Sequence, residues 1–380
     1  MNSIEILEKL VSFDTTSSKS NLNLVTWVTA LLEEHGISYR LTTNDEGTKQ
    51  NIFASVGPQV EGGVILSGHT DVVPVTGQAW DSDPFQLTER NSRLYGRGSC
   101  DMKGFIAAAL VALIKANKES LSKPLYLALS YDEEIGCLGV PRLINDIVDI
   151  VPSLRAVIVG EPTEMRPINQ HKGAFRSKIN LVGKAGHSSD PSLGVSAIHY
   201  AGKVLEGLSA YADEQKANPD MSSALKPNYT VINTGLIAGG VAPNIIAQNC
   251  EMTLATRFMP SQTVDTHMTC FKHIVAKVEE RMKTHASECS ANVILENTIP
   301  AFRPEPDSDA VKLCEELLGP QTLGAVGFGT EAGHFQNAGF PTIVLGPGSI
   351  DQAHQANEFI EIEQMKLIDE CLNKLIELQK

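Results

Sequence analysis

Short apolar runs of strand length recur along the chain, and helical stretches separate them. The runs lie at residues 64–66, 125–129, 156–159 and 342–345, where branched or large aliphatic side chains predominate. One of the intervening helices is predicted at residues 105–117. Strands that alternate with helices in this way form a mostly parallel sheet with helices packed on its faces. The sequence therefore predicts an α/β domain.

A second pattern begins near residue 175. There Phe175, Ile179 and Leu181 alternate with polar neighbours, as on a half-buried antiparallel strand. The segments that follow continue in βαββαβ order, which indicates a ferredoxin-like α+β fold. The predicted elements are strand 175–182, helix 194–210, strands 229–237 and 249–258, helix 263–283 and strand 291–297. The α/β pattern returns after residue 300, so we predict a domain of residues 175–297 inserted into one formed by residues 1–174 and 298–380.

Charge, hydropathy and cysteine spacing exclude several classes of protein. The chain has 31 Lys and Arg against 45 Asp and Glu, and this net charge of −14 argues against a nucleic acid partner. The longest uncharged apolar run, residues 105–114, is far shorter than the roughly 20 residues that a bilayer span needs. Seven cysteines without a C-x-x-C pair, and an N-terminus without a signal peptide, predict a cytoplasmic protein with reduced thiols and no membrane partner.

Acidic or histidine residues stand beyond each predicted strand, and one more acid precedes the helix at 105–117. Ligands of an open parallel sheet bind beyond the carboxyl ends of its strands, so residues far apart in sequence converge there. Any one of these residues alone also fits a structural histidine or a solvated acidic loop, but their equivalent positions favour a single site. The residues are His69, Asp71, Asp101, Glu133, Glu134, Glu161 and His354.

The residue types in this group point to metal chemistry. Imidazole and carboxylate ligands without thiolate suit Zn²⁺, with Co²⁺ or Mn²⁺ as alternatives. The set is too large for one catalytic zinc and fits two ions that share a bridging carboxylate. Asp71 lies two residues after His69, on the same face of a strand, where it could hold the His69 ring. Glu133 and Glu134 point apart, so one can ligate while the other takes a proton from water, and their spacing does not tell which.

Five short segments contain these residues. They are SGHTDVVP (67–74), YGRGSCDMKG (95–104), DEEIG (132–136), GEPT (160–163) and QAHQANE (352–358). In this order, and over nearly the whole chain, they resemble the zinc-dependent M20 metallopeptidase and deacylase family. The resemblance implies a metal-dependent amide hydrolase that acts on a small-molecule substrate. It also implies a zinc aminopeptidase-like catalytic domain with an inserted lid and dimerisation domain.

The same resemblance implies a role for each clustered residue. Two Zn²⁺ ions, with Co²⁺ as an alternative, would share Asp101, and Glu133 would be the general acid and base. The remaining ligands would be His69 and Glu161 for one ion, and Glu134 and His354 for the other.

The inserted domain carries three further candidates. GKAGHSS (183–189) resembles the family segment that supplies a histidine to the partner subunit's active site, which implies a homodimer in which His187 polarises the scissile carbonyl. Strand alternation offers Arg257 to solvent or to a ligand carboxylate. The family resemblance favours a substrate carboxylate and places Asn244 of GGVAPNIIA (239–247) nearby. A loop histidine, a surface salt bridge and a turn residue are the respective structural alternatives.

Three longer segments narrow the expected substrate. Residues 160–173, 327–335 and 345–359 resemble the branch of the family that hydrolyses N2-acetyl-L-ornithine to L-ornithine and acetate in arginine biosynthesis. The alternatives are a related N-acyl amino acid hydrolase, such as a succinyl-diaminopimelate desuccinylase or a dipeptidase, and a non-catalytic amino-acid- or metal-binding protein. Glu331 could meet the charged end of a basic substrate or cap a helix. Ala356 stands where many relatives have proline, which leaves the rigidity of its loop open.

Overall fold

In the computed structural model, which describes residues 1–380, the chain divides into two units. Unit 1 comprises Met1–Asn169, Pro304–Ala325 and Thr330–Lys380, and unit 2 comprises Gln170–Arg303 and Val326–Gly329. The predicted limits of the inserted domain, residues 175 and 297, therefore lie a few residues inside unit 2.

The chain forms fifteen β-strands and nine α-helices. The strands are β1 Ser38–Thr43, β2 Gln50–Val56, β3 Gly63–His69, β4 Thr88–Arg90, β5 Arg93–Tyr95, β6 Leu125–Ser130, β7 Leu154–Val159, β8 Ile168–His171, β9 Gly173–Val182, β10 Val231–Gly239, β11 Asn249–Phe258, β12 Ser290–Ile299, β13 Gly324–Val326, β14 Thr342–Val344 and β15 Phe359–Glu361. The helices are α1 Ser3–Val11, α2 Leu22–Glu34, α3 Gly104–Ala116, α4 Val140–Ile147, α5 Ala197–Ala217, α6 Val264–Lys283, α7 Asp309–Leu318, α8 Ala332–Asn337 and α9 Ile362–Gln379.

An eight-stranded sheet in the order β1-β2-β6-β3-β7-β14-β8-β13 forms the centre of unit 1. Its four middle strands, β6, β3, β7 and β14, are mutually parallel. Strands β1 and β2 continue the sheet in antiparallel fashion on one side, and β8 pairs antiparallel with β14 on the other. The predicted α/β sheet is thus confirmed, with antiparallel strands toward its edges. The carboxyl ends of four neighbouring strands share one edge, where loops can bring distant residues together.

Helix α3 lies in the core of unit 1, and it begins near the edge of the sheet where the carboxyl ends of the parallel strands meet. Its apolar residues are almost all buried, because the helix packs between the sheet and helices α1 and α9. Gly160 follows β7, and a Cβ atom there would lie 2.0 Å from the Phe105 ring at the start of α3. Only glycine therefore allows this close approach, which holds the end of β7 against the beginning of α3.

Unit 2 contains an antiparallel sheet in the order β10-β11-β9-β12, with α5 and α6 packed in its core. The elements follow the predicted βαββαβ order. Strands β9 and β12 are neighbours, and Ala174 pairs with Ile299 where the chain enters and leaves this sheet. Helix α5 begins three residues later and ends seven residues later than the predicted helix 194–210. The extra residues, 211–217, include the good helix formers Ala, Glu, Gln and Lys, and no Gly or Pro interrupts them.

The helices and the cysteines bear on two further predictions. None of the nine helices combines the length and the hydropathy that a membrane crossing requires. All seven cysteines are free thiols, and Cys270 alone among them is not fully buried.

Candidate metal centre and active site

Seven side chains that the sequence groups together meet in unit 1, at the carboxyl ends of the parallel strands. The elements explain this convergence, since the residues either end a strand, follow one or precede α3. Their positions are His69 at the end of β3, Asp71 just after it, Asp101 before α3, Glu133 and Glu134 after β6, Glu161 after β7 and His354 beyond β14.

Asp101 lies between the two histidines. Its Oδ1 atom is 3.0 Å from Nε2 of His69, and its Oδ2 atom is 3.4 Å from Nε2 of His354. The same nitrogen of His354 is 2.9 Å from Oε2 of Glu134. Each oxygen of one carboxylate thus faces a different imidazole, which is the arrangement that a bridging ligand of two metal ions requires.

Two overlapping groups of potential metal-ligating atoms share His69. In one group its ring nitrogen lies within 4.8 Å of carboxylate oxygens from Glu133 and Glu161, and in the other within the same distance of oxygens from Asp101 and Glu134. Both neighbouring glutamates therefore reach the cluster, each in a different group. Distance alone does not separate the ligand from the proton acceptor.

Negative charge is concentrated in this cluster. Burial, followed by the charge of Asp101, raises the pKa of Glu134 to about 7 and that of Glu161 well above its usual value. Hydrogen bonds to Asp101 and Glu134 raise the pKa of His354 to about 10. Four carboxyl groups packed around two imidazoles favour cations. These oxygen and nitrogen donors, without thiolate, fit divalent ions such as Zn²⁺.

Asp71 acts on its neighbours differently from the sequence-based expectation. Nδ1 of His69 lies 3.0 Å from the backbone oxygen of Asp71 and 3.7 Å from its carboxylate. The carboxylate is engaged elsewhere, because it accepts the backbone N–H groups of Glu133 at 3.0 Å and Glu134 at 3.3 Å and the hydroxyl of Ser17 at 2.7 Å. Asp71 therefore orients His69 through the backbone oxygen of Asp71, and it orients the loop of Glu133 and Glu134 through its carboxylate.

The loop that carries the two glutamates has a second attachment. Asp132, directly before Glu133, has a φ of 57° and forms a half-buried ion pair with Lys49. The Lys49 ammonium also donates to the backbone oxygen of Ser17. Because aspartate tolerates the left-handed conformation, the ion pair can hold this turn without glycine. Neither Lys49 nor Ser17 stood out in the sequence.

A buried ion pair beneath Asp101 was also missed by sequence reasoning. Glu358 accepts the backbone N–H groups of Cys100 at 2.9 Å, Asp101 at 3.0 Å and Gly98 at 3.0 Å. Arg97 donates to the same carboxylate at 2.6 Å, and each side chain is 1% exposed. Both residues belong to the quoted family segments. Their opposite charges, close in sequence to the proposed metal ligands, could have indicated an ion pair. The pair fixes the backbone that presents Asp101.

Glu331 stands at the N-cap position of α8. The residue precedes α8, but its side chain makes no capping hydrogen bond, so the helix-cap alternative is wrong. The side chain is 1% exposed, and its carboxylate lies 3.4 Å from the hydroxyl of Ser67 on β3. Burial raises its pKa to about 7. It is a buried polar group of unit 1 and not a surface carboxylate.

His187, Asn244 and Arg257 lie in unit 2. The loops of the first two are neighbours, since the N–H of Ser188 donates to the backbone oxygen of Asn244 at 3.1 Å. His187 is exposed, and its Nδ1 atom lies 2.7 Å from the Ser189 hydroxyl. Arg257 is exposed on β11, as its strand alternation predicts.

Lys172 adds a second positive charge beside Arg257, and sequence reasoning missed it. Its side chain is buried, and its ammonium donates to the backbone oxygen of Tyr229 at 2.7 Å. Burial, followed by the charge of Arg257, lowers the pKa of Lys172 to about 8. The two cations make this part of unit 2 positively charged.

One family and several known proteins resemble the chain. The profile of peptidase family M20/M25/M40 matches residues 65–378. The acetylornithine deacetylase of Salmonella paratyphi B is 34% identical, over 98% of this chain and 96% of that protein. Among solved structures, the M20 family metallo-carboxypeptidase Sso-CP2 of Sulfolobus solfataricus has a TM-score of 0.79 at 17% identity, over 100% of this chain and 99% of that one. A dinuclear metal binding peptidase of the M20 family from Bacillus subtilis has a TM-score of 0.67 at 15% identity, over 99% and 97% of the two chains.

The buried Arg97–Glu358 pair generates a prediction about stability. Replacing Arg97 by Met leaves the Glu358 carboxylate buried without its guanidinium, and the expected loss is roughly 3–5 kcal/mol of unfolding free energy. Arg142→Met removes an exposed ion pair with Asp45 and is the matched control, for which a far smaller loss is expected. Denaturant titration measures both losses. Equal losses in the two variants would contradict the assigned role of the buried pair.

Proposed function

The chain belongs to peptidase family M20/M25/M40, and we propose that this amide hydrolase removes the acetyl group of N2-acetyl-L-ornithine, which yields L-ornithine and acetate. One observation carries the proposal: a carboxylate that faces two histidines within a cluster of acids, in a chain that resembles acetylornithine deacetylases over nearly its whole length. In a cell the reaction would supply ornithine for arginine synthesis. The seven free thiols support a cytoplasmic location.

Two metal ions are part of this proposal. His69, Asp101 and Glu161 would hold one ion, and Asp101, Glu134 and His354 would hold the other. The two-sided contacts of Asp101 support this assignment, as does the likeness to a dinuclear relative. Zn²⁺ suits the donors best, and Co²⁺ is an alternative. When bound, such ions lower the pKa of water and polarise a carbonyl oxygen.

Glu133 is the proposed general acid and base. It would take a proton from the attacking water and return it to the departing amine of ornithine. Burial raises the pKa of this carboxyl well above its usual value, which makes it a better proton acceptor. The backbone N–H contact to Asp71 and the Cys137 thiol, 3.4 Å from Oε1 of Glu133, would keep the carboxyl oriented.

Unit 2 would bind the substrate and complete the partner's site. Arg257 is the proposed contact for the substrate carboxylate, with Asn244 beside it, and the second positive charge of Lys172 supports an anion here. His187 would donate a hydrogen bond to the oxyanion that forms at the acetyl carbonyl. In this proposal His187 acts across a dimer.

The exposed edge of unit 2 supports a homodimer. Strand β10 is an edge strand of its sheet, and Leu236 and Ile237 on it are 69% and 53% exposed. Val241, two residues beyond the strand, is 87% exposed. An apolar sheet edge of this kind favours pairing with another strand. A second copy of the chain supplies an identical strand, so two β10 strands would pair about a twofold axis.

The first test of the proposed function combines a substrate panel with one substitution. Zinc-loaded protein is expected to hydrolyse N-acetylornithine with a higher kcat/KM than N-acetylmethionine or N-succinyl-diaminopimelate. Glu133→Ala is expected to retain its metal ions, measured by elemental analysis, and to lose hydrolysis, because the proton acceptor is gone. Glu61→Ala, at an exposed position, is the control. A metal-replete Glu133 variant with normal turnover would refute the role, and a faster rate on another substrate would reassign the specificity.

The second test asks whether His187 acts across a dimer. His187→Ala is expected to lower kcat by roughly 10²- to 10³-fold, as for the loss of one oxyanion donor. Mixing His187→Ala with Glu133→Ala subunits under exchange is expected to restore about one quarter of wild-type activity, since half the dimers would contain one intact site. No recovery on mixing, with subunit exchange verified, would place His187 in the site of its own subunit or outside any site.

A further inference from the structure

The loop that carries His354 has an unusual backbone. His354 and Asn357 have φ angles of 64° and 59°, a left-handed conformation that few residues other than glycine adopt. The loop follows the short 3₁₀ turn Ile350–Gln352 and has no strand partner before β15. Contacts from elsewhere in the chain must therefore fix it. Ala356 cannot supply the rigidity that a proline would give.

Residues 78–81 provide these contacts. The side-chain amide of Gln78 donates to the backbone oxygen of His354 at 2.8 Å. The backbone N–H of Asp81 donates to the side-chain oxygen of Asn357 at 2.9 Å, and Nδ2 of Asn357 donates to the Asp81 carboxylate at 3.2 Å. Both residues with left-handed backbone are thus anchored to one short segment.

Gln78 also joins this loop to the buried ion pair beneath Asp101. Its Oε1 atom accepts from Nη2 of Arg97 at 2.5 Å and from Nε1 of Trp80 at 3.1 Å. Arg97 in turn donates to Glu358, which accepts the backbone N–H of Asp101. Two donors therefore face the Gln78 oxygen and one acceptor faces its nitrogen, which defines the orientation of the amide. A continuous hydrogen-bonded path runs from the His354 backbone to the Asp101 backbone.

His354 needs such an anchor more than the other clustered residues do. Its side chain is 54% exposed, whereas those of His69 and Asp101 are 1% and 7% exposed. Packing confines the buried residues, but an exposed side chain on a loop depends on its backbone for its position. The contact that fixes the His354 backbone therefore also determines where its imidazole lies.

We propose that Gln78 is a positioning residue, which holds His354 at the correct distance from Asp101 and so sets the affinity of the metal ion that these two residues share. The inference rests on the ligand assignment in the proposed function. Gln78 contacts the His354 backbone directly and reaches Asp101 only through Arg97 and Glu358, so we expect the main effect on the ion that His354 would hold. Loss of an outer contact of this kind weakens metal binding by roughly 10- to 100-fold.

Gln78→Glu tests the contact with His354 by itself. The glutamate keeps an oxygen for Arg97 and Trp80 but has no N–H to donate to the His354 backbone. Calorimetric titration of the metal-free full-length protein with Zn²⁺, in the presence of a competing chelator, measures the two affinities. One ion is expected to bind roughly 10- to 100-fold more weakly and the other as in the wild type. Gln59→Glu, at an exposed glutamine, is the matched control for the added charge.

A second variant and a stability measurement guard against a merely structural effect. Gln78→Met removes both contacts and is expected to show the same selective loss, with the melting temperature of the metal-free protein unchanged in the Gln78→Glu variant. The inference would be overturned if the variant bound both ions with wild-type affinity, or if it bound both ions more weakly to the same extent. A lower melting temperature of metal-free Gln78→Glu would also overturn it. Wild-type protein that takes up fewer than two ions would instead overturn the proposed metal centre.

Discussion

The mutual repulsion of carboxylates within one small region of unit 1 is the constraint on which the site depends. Asp101 and three glutamates crowd around two imidazoles, and burial alone would drive these acids to bind protons. Hydrogen bonds to the backbone hold the clustered acids in place despite their repulsion. Glu358 and Arg97 hold the Asp101 backbone, while Asp71 gathers the N–H groups of the glutamate loop. The protein thus holds negative charge in place for a positive ligand to neutralise.

The sequence predicts the fold and the membership of the site well, and for a physical reason. Apolar runs predict buried strands, and in a parallel sheet the carboxyl ends of those strands all lie at the edge where ligands bind. His69, Glu161 and His354 could therefore be grouped before any contact was known. The βαββαβ order of unit 2 likewise follows from the change of period near Phe175. The end of α5 was predicted seven residues too early because its last two turns are mostly polar and lack a periodic apolar pattern.

The contacts that support the site could not be predicted in the same way. Arg97 and Glu358 are 261 residues apart, and no periodicity links them. The Asp71 carboxylate was expected at the His69 ring, because spacing gives the face of a strand but not the direction in which a side chain finds its partner. The orientation of the Gln78 amide depends on three groups from three segments. Such networks are properties of tertiary structure, and only coordinates reveal them.

The pairing of Ala174 with Ile299 has a consequence for how this architecture can diversify. Adjacent strands lie about 4.8 Å apart, so the two ends of the inserted sheet leave the host side by side. Because the two connections lie so close together, unit 1 needs no rearrangement when the inserted domain changes in length or composition. Recombination could therefore replace the whole inserted domain and leave the acidic cluster of unit 1 unchanged. An exchanged insert would still have to supply the groups that the proposed function places in unit 2, His187 among them.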